Sequence, residues 1–216
     1  MLIANRGSLP TSAPYILKIM FNIFKKKKEF VTIVSGLPRS GTSMMMKMLE
    51  AGGLTPVTDN FRTADEDNPK GYYEFENVKK PDTYKDWLPK APGKVVKIIS
   101  MLLENLLPEY SYKIVFMLRN IDEILASQRQ MLIRRGEQDN KVPDEQLSMM
   151  YKKHLTKMEN WFAGQPNLDV LYVKYNEVLE NPVKFSKLIN SFLENKLDEK
   201  EMAKVIDKNL YRQRSS

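Results

Sequence analysis

The sequence of 216 residues has no cysteine, a single histidine and no long uninterrupted apolar run. Without cysteine, disulfides and thiolate metal sites are excluded, and one histidine argues against a histidine-based metal centre. The apolar stretch PYILKIMFNIF near the N-terminus contains Lys18 and Asn22 and is too short to span a bilayer. No small-residue cleavage signal follows it, so we expect no secretory signal and a cytoplasmic protein.

Positive charge is concentrated at the N-terminus. The net charge is +7, and residues 1–30 hold six cations and one acid, a net +5 that leaves +2 for the remaining chain. A remainder so close to neutral does not indicate a nucleic-acid-binding face. We expect residues 1–29 to form a basic arm or helix and residues 30–216 to form one domain. Residues 15–28 could contact a membrane surface weakly or pack on the domain as a helix with solvated lysines, and the oligomeric state is open.

Four short segments have the composition of buried strands, because each is rich in Val and Ile and bounded by polar or turn residues. They are FVTIVS (30–35), KVVKIIS (94–100), YKIVFML (112–118) and VLYVKY (170–175). Helical patterns separate them. This alternation predicts an α/β fold of three layers, with a mostly parallel central sheet and helices on both faces. Ligands of such sheets bind beyond the carboxyl ends of the strands.

Polar residues mark where several helices begin. An apolar helix is predicted from Thr42 to Ala51. The other predicted starts are Asn120 with Glu123 in the capping-box position, Asp144 after Pro143, Asn181 with Pro182 in the first turn, and Asp198 with Glu201 in the capping-box position.

The segment GLPRSGTS lies between the first predicted strand and the first predicted helix, and it resembles a phosphate-binding loop. Gly36 and Gly41 have the spacing of a Walker A loop, and Ser43 supplies the hydroxyl. The usual lysine position holds Thr42, and the nearest cation is Arg39 inside the loop. Backbone N–H groups at a helix start make an anion site, to which Arg39 adds a planar fork of donors.

The ends of the other strands argue against ATP chemistry. A magnesium-dependent site needs an acid, usually an aspartate that ends a neighbouring strand. The third segment instead ends at Arg119, and the other two end at Ser100 and Tyr175. Such an edge suits a ligand with several phosphates and no metal ion.

GLPRSGTS followed by LRNIDEILAS resembles the two cofactor motifs of the PAPS-dependent sulfotransferases, whose cofactor is 3′-phosphoadenosine 5′-phosphosulfate. The resemblance covers residues 30–182 and implies a P-loop-like sulfotransferase fold. It also implies a set of cofactor-binding residues. The loop residues Arg39, Ser40, Gly41, Thr42 and Ser43 would hold the 5′-phosphosulfate, Arg119 and Ser127 the 3′-phosphate, and Tyr175 of VKYNEVLENP would lie near the adenine.

The chain departs from this family in two places relevant to the cofactor. Asn176 stands where the family usually has an acid after the tyrosine. The C-terminal NLYRQRSS lacks the usual Arg-Lys-Gly ending. Arg212 in that segment could still reach the 3′-phosphate, although exposed basic residues at a frayed terminus are the simpler interpretation.

The resemblance also assigns catalytic roles. Arg39 would stabilise the leaving phosphate oxygen, and Lys97 of KVVKIISMLLENLLP matches a lysine that approaches the sulfuryl group. The family's catalytic histidine falls on Ile99 here. We therefore expect a carboxylate as general base. Glu66 in TADEDNPKGYYEFEN is the first choice, a segment that resembles one in bacterial sulfotransferase-like proteins. The competitors are Asp65, Asp67, Glu74 and His154.

Aromatic residues of the same acidic segment have two interpretations. Tyr72, Tyr73 and Phe75 could wall an acceptor pocket, or they could be packing aromatics. The function predicted from the sequence is transfer of a sulfuryl group from PAPS to a hydroxyl or amine, without a metal ion. The alternatives are a P-loop kinase or NTPase with an atypical loop, and a non-catalytic binder of adenosine 3′,5′-bisphosphate. The acceptor could be a sugar, a lipid or another small molecule.

Overall fold

The computed structural model describes residues 29–59, 73–137 and 142–206. Its strands form one sheet in the order β2–β3–β1–β4–β5, and every neighbouring pair is parallel. They are β1 (Val31–Gly36), β2 (Pro56–Val57), β3 (Val95–Lys97), β4 (Tyr112–Leu118) and β5 (Leu168–Lys174). The predicted parallel sheet is confirmed. The two-residue edge strand β2 was not predicted, because so short a segment carries no pattern.

Helices cover both faces of this sheet, as predicted. They are α1 (Thr42–Ala51), α2 (Tyr84–Trp87), α3 (Ile121–Arg134), α4 (Asp144–Ala163), α5 (Tyr175–Glu180), α6 (Pro182–Phe192) and α7 (Glu199–Lys204). Short 3₁₀ helices span Glu76–Lys79, Pro81–Thr83, Leu88–Lys90 and Ser100–Asn105. No helix among the described residues is long and apolar enough to cross a membrane.

Alternating side chains of the strands divide the core into two halves. Ile33 of β1 packs in one half with Met158 and Phe162 of α4. Its neighbour Val34 packs in the other half with the methionines of α1. Because both faces are covered, the inner strands are largely buried and rich in apolar residues on both faces.

Two strands end earlier than predicted. The segment 94–100 is a strand only over Val95–Lys97, since Ser100 already begins a 3₁₀ helix. The segment 170–175 is a strand over Leu168–Lys174, and Tyr175 is the first residue of α5. In both cases the chain turns into a helix at the edge of the sheet. Apolar composition therefore places the end of the strand too late.

Two of the predicted helix caps are confirmed. The Asn120 side chain accepts a hydrogen bond from the Asp122 N–H (2.8 Å). The Asp198 side chain accepts from the Lys200 and Glu201 N–H groups (2.9 and 3.1 Å). Each cap satisfies backbone donors that the first turn of a helix leaves without an internal acceptor.

Other predicted start signals take different roles. Pro182 lies in the first turn of α6 as predicted, but no side-chain cap bond is made at Asn181. Pro143, not Asp144, is the N-cap of α4, and the Asp144 carboxylate contacts Arg129 instead. The two glutamates in the predicted capping-box positions each bind a cation. Glu123 binds Arg119, and Glu201 binds Lys204.

The register of the sheet fixes which residues meet at its carboxyl edge. Gly36 at the end of β1 lies opposite Met117 of β4, and Lys97 at the end of β3 lies opposite Val34. Leu118, the last residue of β4, lies opposite Lys174, the last residue of β5. The residues that follow these strands are therefore neighbours, and the first strand in sequence is the central one.

We expect Gly36→Ala to lower the free energy of unfolding by about 3 kcal/mol or more. Gly36 has φ +148°, and an added Cβ would lie 2.5 Å from Ser40 Oγ and 2.6 Å from the Met117 carbonyl oxygen. The matched control is Gly93→Ala, with φ +77° and no atom within 4 Å of its Cβ, which should cost about 1 kcal/mol. Equal losses in urea unfolding would contradict the close approach at Gly36.

Candidate active site

The glycine-bounded loop connects β1 to α1 at the carboxyl edge of the sheet. Arg39 and Gly41 both have positive φ values (68° and 99°), which turn the chain sharply into the helix. The N-cap of α1 is Gly41, and no side-chain hydrogen bond caps it. The first-turn N–H groups of α1 therefore lie at the loop, where the positive end of the helix dipole favours an anion.

Gly41 also permits a close approach by an aromatic ring. A Cβ added at this position would lie 2.4 Å from Cδ2 of Tyr175, the first residue of α5. Tyr175 is 7% exposed, and burial raises the pKa of its hydroxyl while Arg119 and Arg39 lower it. The ring is thus a buried, neutral surface directly against the loop.

Arg119 follows β4 and binds to three different elements. Its Nη1 donates a hydrogen bond to the Arg39 carbonyl oxygen in the loop (3.1 Å), and its Nε donates to Glu123 of α3 (2.9 Å). Its guanidinium carbon lies 4.6 Å from the centre of the Tyr175 ring, within cation–π range. Arg119 is thereby turned toward the glycine loop.

Ser127 joins the same group of residues from α3. It is 8% exposed, and its hydroxyl accepts a hydrogen bond from Arg39 Nε (3.0 Å). The loop arginine therefore extends toward the residue that the family resemblance assigns to the 3′-phosphate. The structure brings together Arg39, Gly41, Arg119, Ser127 and Tyr175, which are distant in sequence.

Glu123 and Asn176 belong to this group, but the sequence analysis did not name them as site residues. The Glu123 side chain is 1% exposed and the Arg119 side chain 8%. Glu123 Oε2 accepts from Arg119, and Oε1 accepts from Asn176 Nδ2 (3.2 Å). The four-residue spacing of Arg119 and Glu123 is a signal that could have revealed the pair, since such residues face each other on a helical turn.

Buried polar atoms lie beside the loop. Ser40 is 1% exposed, and its Oγ has no hydrogen-bond partner among the described residues. The same holds for Asn176 Oδ1. Buried polar atoms are normally paired, so these two mark a place where ligand contacts fit.

Lys97 is the last residue of β3 and is half-buried beside the central strand. The position two residues later, where the resembling family has its histidine, is Ile99 with 38% exposure. An apolar side chain there cannot accept a proton.

His154 of α4 lies near the same end of β3. Its Nε2 is 2.9 Å from the Oγ of Ser100, a fully buried residue. Burial lowers the pKa of His154, Lys157 lowers it further, and Glu104 opposes them. The imidazole is therefore neutral near pH 7 and anchored by a hydroxyl, as expected for a boundary histidine with a satisfied ring nitrogen.

Several predicted residues lie outside the described residues: Asp65, Glu66, Asp67, Tyr72 and Arg212. Glu74 lies beside the edge strand, where its carbonyl accepts from the Thr58 hydroxyl (2.9 Å). The Tyr73 hydroxyl contacts Glu50, near the end of α1, and Phe75 packs edge-on against Trp87 with ring centres 5.4 Å apart. Both aromatics have the contacts of packing residues.

Comparison with known proteins identifies the family of the chain. The sequence model of the sulfotransferase domain family matches residues 31–215. No curated protein sequence matches the chain. A sulfotransferase domain from the curacin biosynthetic pathway is similar in structure, with a TM-score of 0.53 and 14% identity over 86% of this chain and 80% of that chain. Mouse sulfotransferase SULT7A1, complexed with PAP, has a TM-score of 0.48 and 17% identity over 90% of this chain and 68% of that chain.

We expect the protein to lose stability as the pH falls through about 6.5, the ordinary pKa of histidine. The folded state holds the His154 proton more weakly than the unfolded chain does, so protonation favours unfolding. His154→Gln keeps a polar partner for Ser100 and should show a smaller drop in Tm between pH 7.5 and 5.5. Because the chain has one histidine, the difference reports this residue. Parallel Tm curves for both proteins would contradict the lowered pKa.

Proposed function

We propose that this chain, which belongs to the sulfotransferase domain family, moves the sulfuryl group of PAPS to a hydroxyl or amine of an acceptor molecule, in line and without a metal ion. The observation that carries the proposal is the convergence of two arginines, a serine and a tyrosine at the glycine-bounded loop. They are Arg39, Arg119, Ser127 and Tyr175. The acceptor, whether a small molecule, a glycan or a lipid, is not identified by these residues.

The residues at this edge fit the two phosphate-bearing ends of PAPS. The loop offers the start of α1, the hydroxyls of Thr42 and Ser43, and the buried Ser40 Oγ to the 5′ end. Arg119 and Ser127 are assigned to the 3′-phosphate, the group that distinguishes this nucleotide from ATP. The Tyr175 ring, buried against Gly41, is assigned to the adenine side.

When bound, PAPS supplies a sulfuryl group attached to a phosphate leaving group. Transfer of this kind depends on positioning and on fixed positive charge, as phosphoryl transfer does. We assign Arg39 to the leaving phosphate oxygen, because it lies inside the loop and presents a planar fork of donors. Lys97 at the end of β3 is assigned to the sulfuryl oxygens.

A general base must remove the proton of the acceptor hydroxyl. Glu66 is the assigned base, and it lies in the acidic segment that the sequence analysis singled out. His154 is the competing assignment, because it is neutral near pH 7 and lies by Ser100, three residues after Lys97. Both assignments are open to direct substitution.

Two other functions make different demands on the same residues. A kinase or NTPase needs an acid at a strand end to hold magnesium. The buried acid at this edge, Glu123, is instead bound by Arg119 and Asn176. A non-catalytic binder of adenosine 3′,5′-bisphosphate would share the nucleotide site but would show no turnover with any acceptor.

We also propose a cytoplasmic location for this protein, with weak contact between residues 15–28 and a membrane surface. It rests on the composition of that segment, where apolar residues precede Lys25–Lys28.

We expect adenosine 3′,5′-bisphosphate without metal to raise the Tm by about 5–10 °C at a concentration about 100-fold above its Kd. ATP with magnesium should have little effect. Removing Arg119 alone would leave the buried Glu123 carboxylate without the cation that pairs with it, so the test variant combines Arg119→Met with Glu123→Gln. This pair should bind the nucleotide about 10–100-fold more weakly, because charge-assisted hydrogen bonds to a phosphate are lost.

The matched control is Arg135→Ala, which removes an exposed arginine just after α3. Its nucleotide response should equal that of the wild type. A wild-type protein stabilised only by ATP with magnesium would replace the sulfotransferase proposal with the kinase alternative.

We expect Glu66→Gln to lower kcat about 100-fold or more with intact nucleotide binding, since general-base catalysis typically contributes about 100–10,000-fold. His154→Gln should change kcat much less. The assay uses PAPS as donor and tests small molecules, glycans and lipids as acceptors, beginning with phenols and simple sugars. A large loss in His154→Gln together with unchanged turnover in Glu66→Gln would transfer the role of base to His154.

A further inference from the structure

Arg119 is held by a carboxylate that is itself held by an amide. Glu123 Oε2 accepts from Arg119 Nε at 2.9 Å, while Glu123 Oε1 accepts from Asn176 Nδ2 at 3.2 Å. The carboxylate therefore receives one donor from the residue after β4 and one from α5. It is almost completely excluded from solvent, so these donors replace the water that would otherwise stabilise its charge.

We infer that Glu123 and Asn176 are positioning residues of the nucleotide site: Glu123 fixes the Arg119 guanidinium, and the Asn176 amide holds Glu123 in place. This inference rests on the proposed function, because its consequence is measured on nucleotide binding. Glu123 contacts Arg119 directly, and Asn176 contacts it through Glu123. Neither is assigned to contact the substrate.

The direction of the Arg119 guanidinium follows from the bond at Nε. A guanidinium is planar, so fixing Nε against Glu123 and Nη1 against the Arg39 carbonyl sets the orientation of the whole fork. The guanidinium carbon also lies 4.6 Å from the centre of the Tyr175 ring. Without the carboxylate, the arginine would lose one of the three contacts that hold its side chain.

The identity of residue 176 follows from the charge of Glu123. The family usually has an acid here, but an acid in this chain would lie about 3.2 Å from Glu123 Oε1. Two carboxylates at that separation cannot both stay ionised at low cost, so they would share a proton. An amide donates to the carboxylate instead, and the departure from the family pattern thus matches the buried Glu123.

The charged and titratable groups around Glu123 come from three elements. Arg119 follows β4, Arg39 lies in the loop, and the Tyr175 hydroxyl belongs to α5. Arg119 pairs directly with the carboxylate, and the tyrosine stays protonated near neutral pH because burial raises its pKa. A second carboxyl at residue 176 is therefore the group expected to titrate in a variant.

The test is Asn176→Asp in the full chain, with Kd for adenosine 3′,5′-bisphosphate measured by calorimetry at pH 5.5 and pH 8. At the lower pH the new carboxyl holds a proton and can donate to Glu123 as the amide does, so binding should be within about twofold of the wild type. At pH 8 both carboxyls are ionised, and binding should be about tenfold weaker. Comparison with the wild type at each pH removes the titration of the nucleotide itself.

Two further variants separate this effect from a general change of charge. Asn160→Asp adds the same charge on an exposed residue of α4. The ratio of its Kd to the wild-type Kd should be the same at both pH values. The double variant Glu123→Gln with Asn176→Asp should lose the pH dependence, because the amide at residue 123 can donate to the new carboxylate. Thermal unfolding without nucleotide should show the same pH-dependent loss in Asn176→Asp and no such loss in the double variant.

The outcomes distinguish this inference from the proposed function. Suppose that the wild type binds adenosine 3′,5′-bisphosphate and that the ratio of the Asn176→Asp Kd to the wild-type Kd does not change with pH. This result would overturn the positioning role and leave the proposed function standing. Wild-type protein that binds no adenosine 3′,5′-bisphosphate would overturn both. If Asn176→Asp does not fold at pH 8 but folds at pH 5.5, the contact with Glu123 is supported, and Glu123→Leu, which has no acceptor for Arg119 Nε, then tests nucleotide binding alone. Wild-type affinity in Glu123→Leu would overturn the positioning role.

Discussion

The guanidinium of Arg119 is the group on which the rest of the site depends, because three elements of the fold meet on it. Glu123 binds it from α3, the Arg39 carbonyl binds it from the loop, and the Tyr175 ring supports it from α5. Glu123 neutralises its charge, so Arg119 contributes donors in fixed directions rather than net positive charge. The site is therefore organised by geometry first, which suits a reaction that depends on positioning.

Local patterns in the sequence were sufficient to predict four of the five described strands and the loop. The strand Tyr112–Leu118 and the helix Thr42–Ala51 have the predicted bounds, because a buried apolar run and a glycine-bounded start are local signals. The end of β3 could not be predicted in the same way. Ile98 still donates to the Val34 carbonyl (3.1 Å), and the chain then turns into a 3₁₀ helix whose middle residues, Met101, Leu102 and Leu103, are also apolar.

The candidate site could be predicted only in part, because its contacts join residues from different segments. Glu123 lies three residues after a helix cap and four after Arg119, and sequence alone does not choose between these partners. Burial decides, since a nearly inaccessible carboxylate gains more from a guanidinium than from a backbone N–H. The approach of Tyr175 to Gly41 has no local signal, because it depends on the register between β4 and β5.

The central strand of the sheet is also the first in sequence of the five described strands. β1 pairs with β3 and β4, which come much later in the chain, and every pair in the sheet is parallel. Contacts so far apart in sequence close slowly, because long stretches of chain must be ordered before the pairing is gained. An apolar strand that waits for its partners is exposed to aggregation on the ribosome and after it. The central position of β1 thus places the loop at the middle of the sheet edge, and it also makes the pairing of β1 a late step in folding.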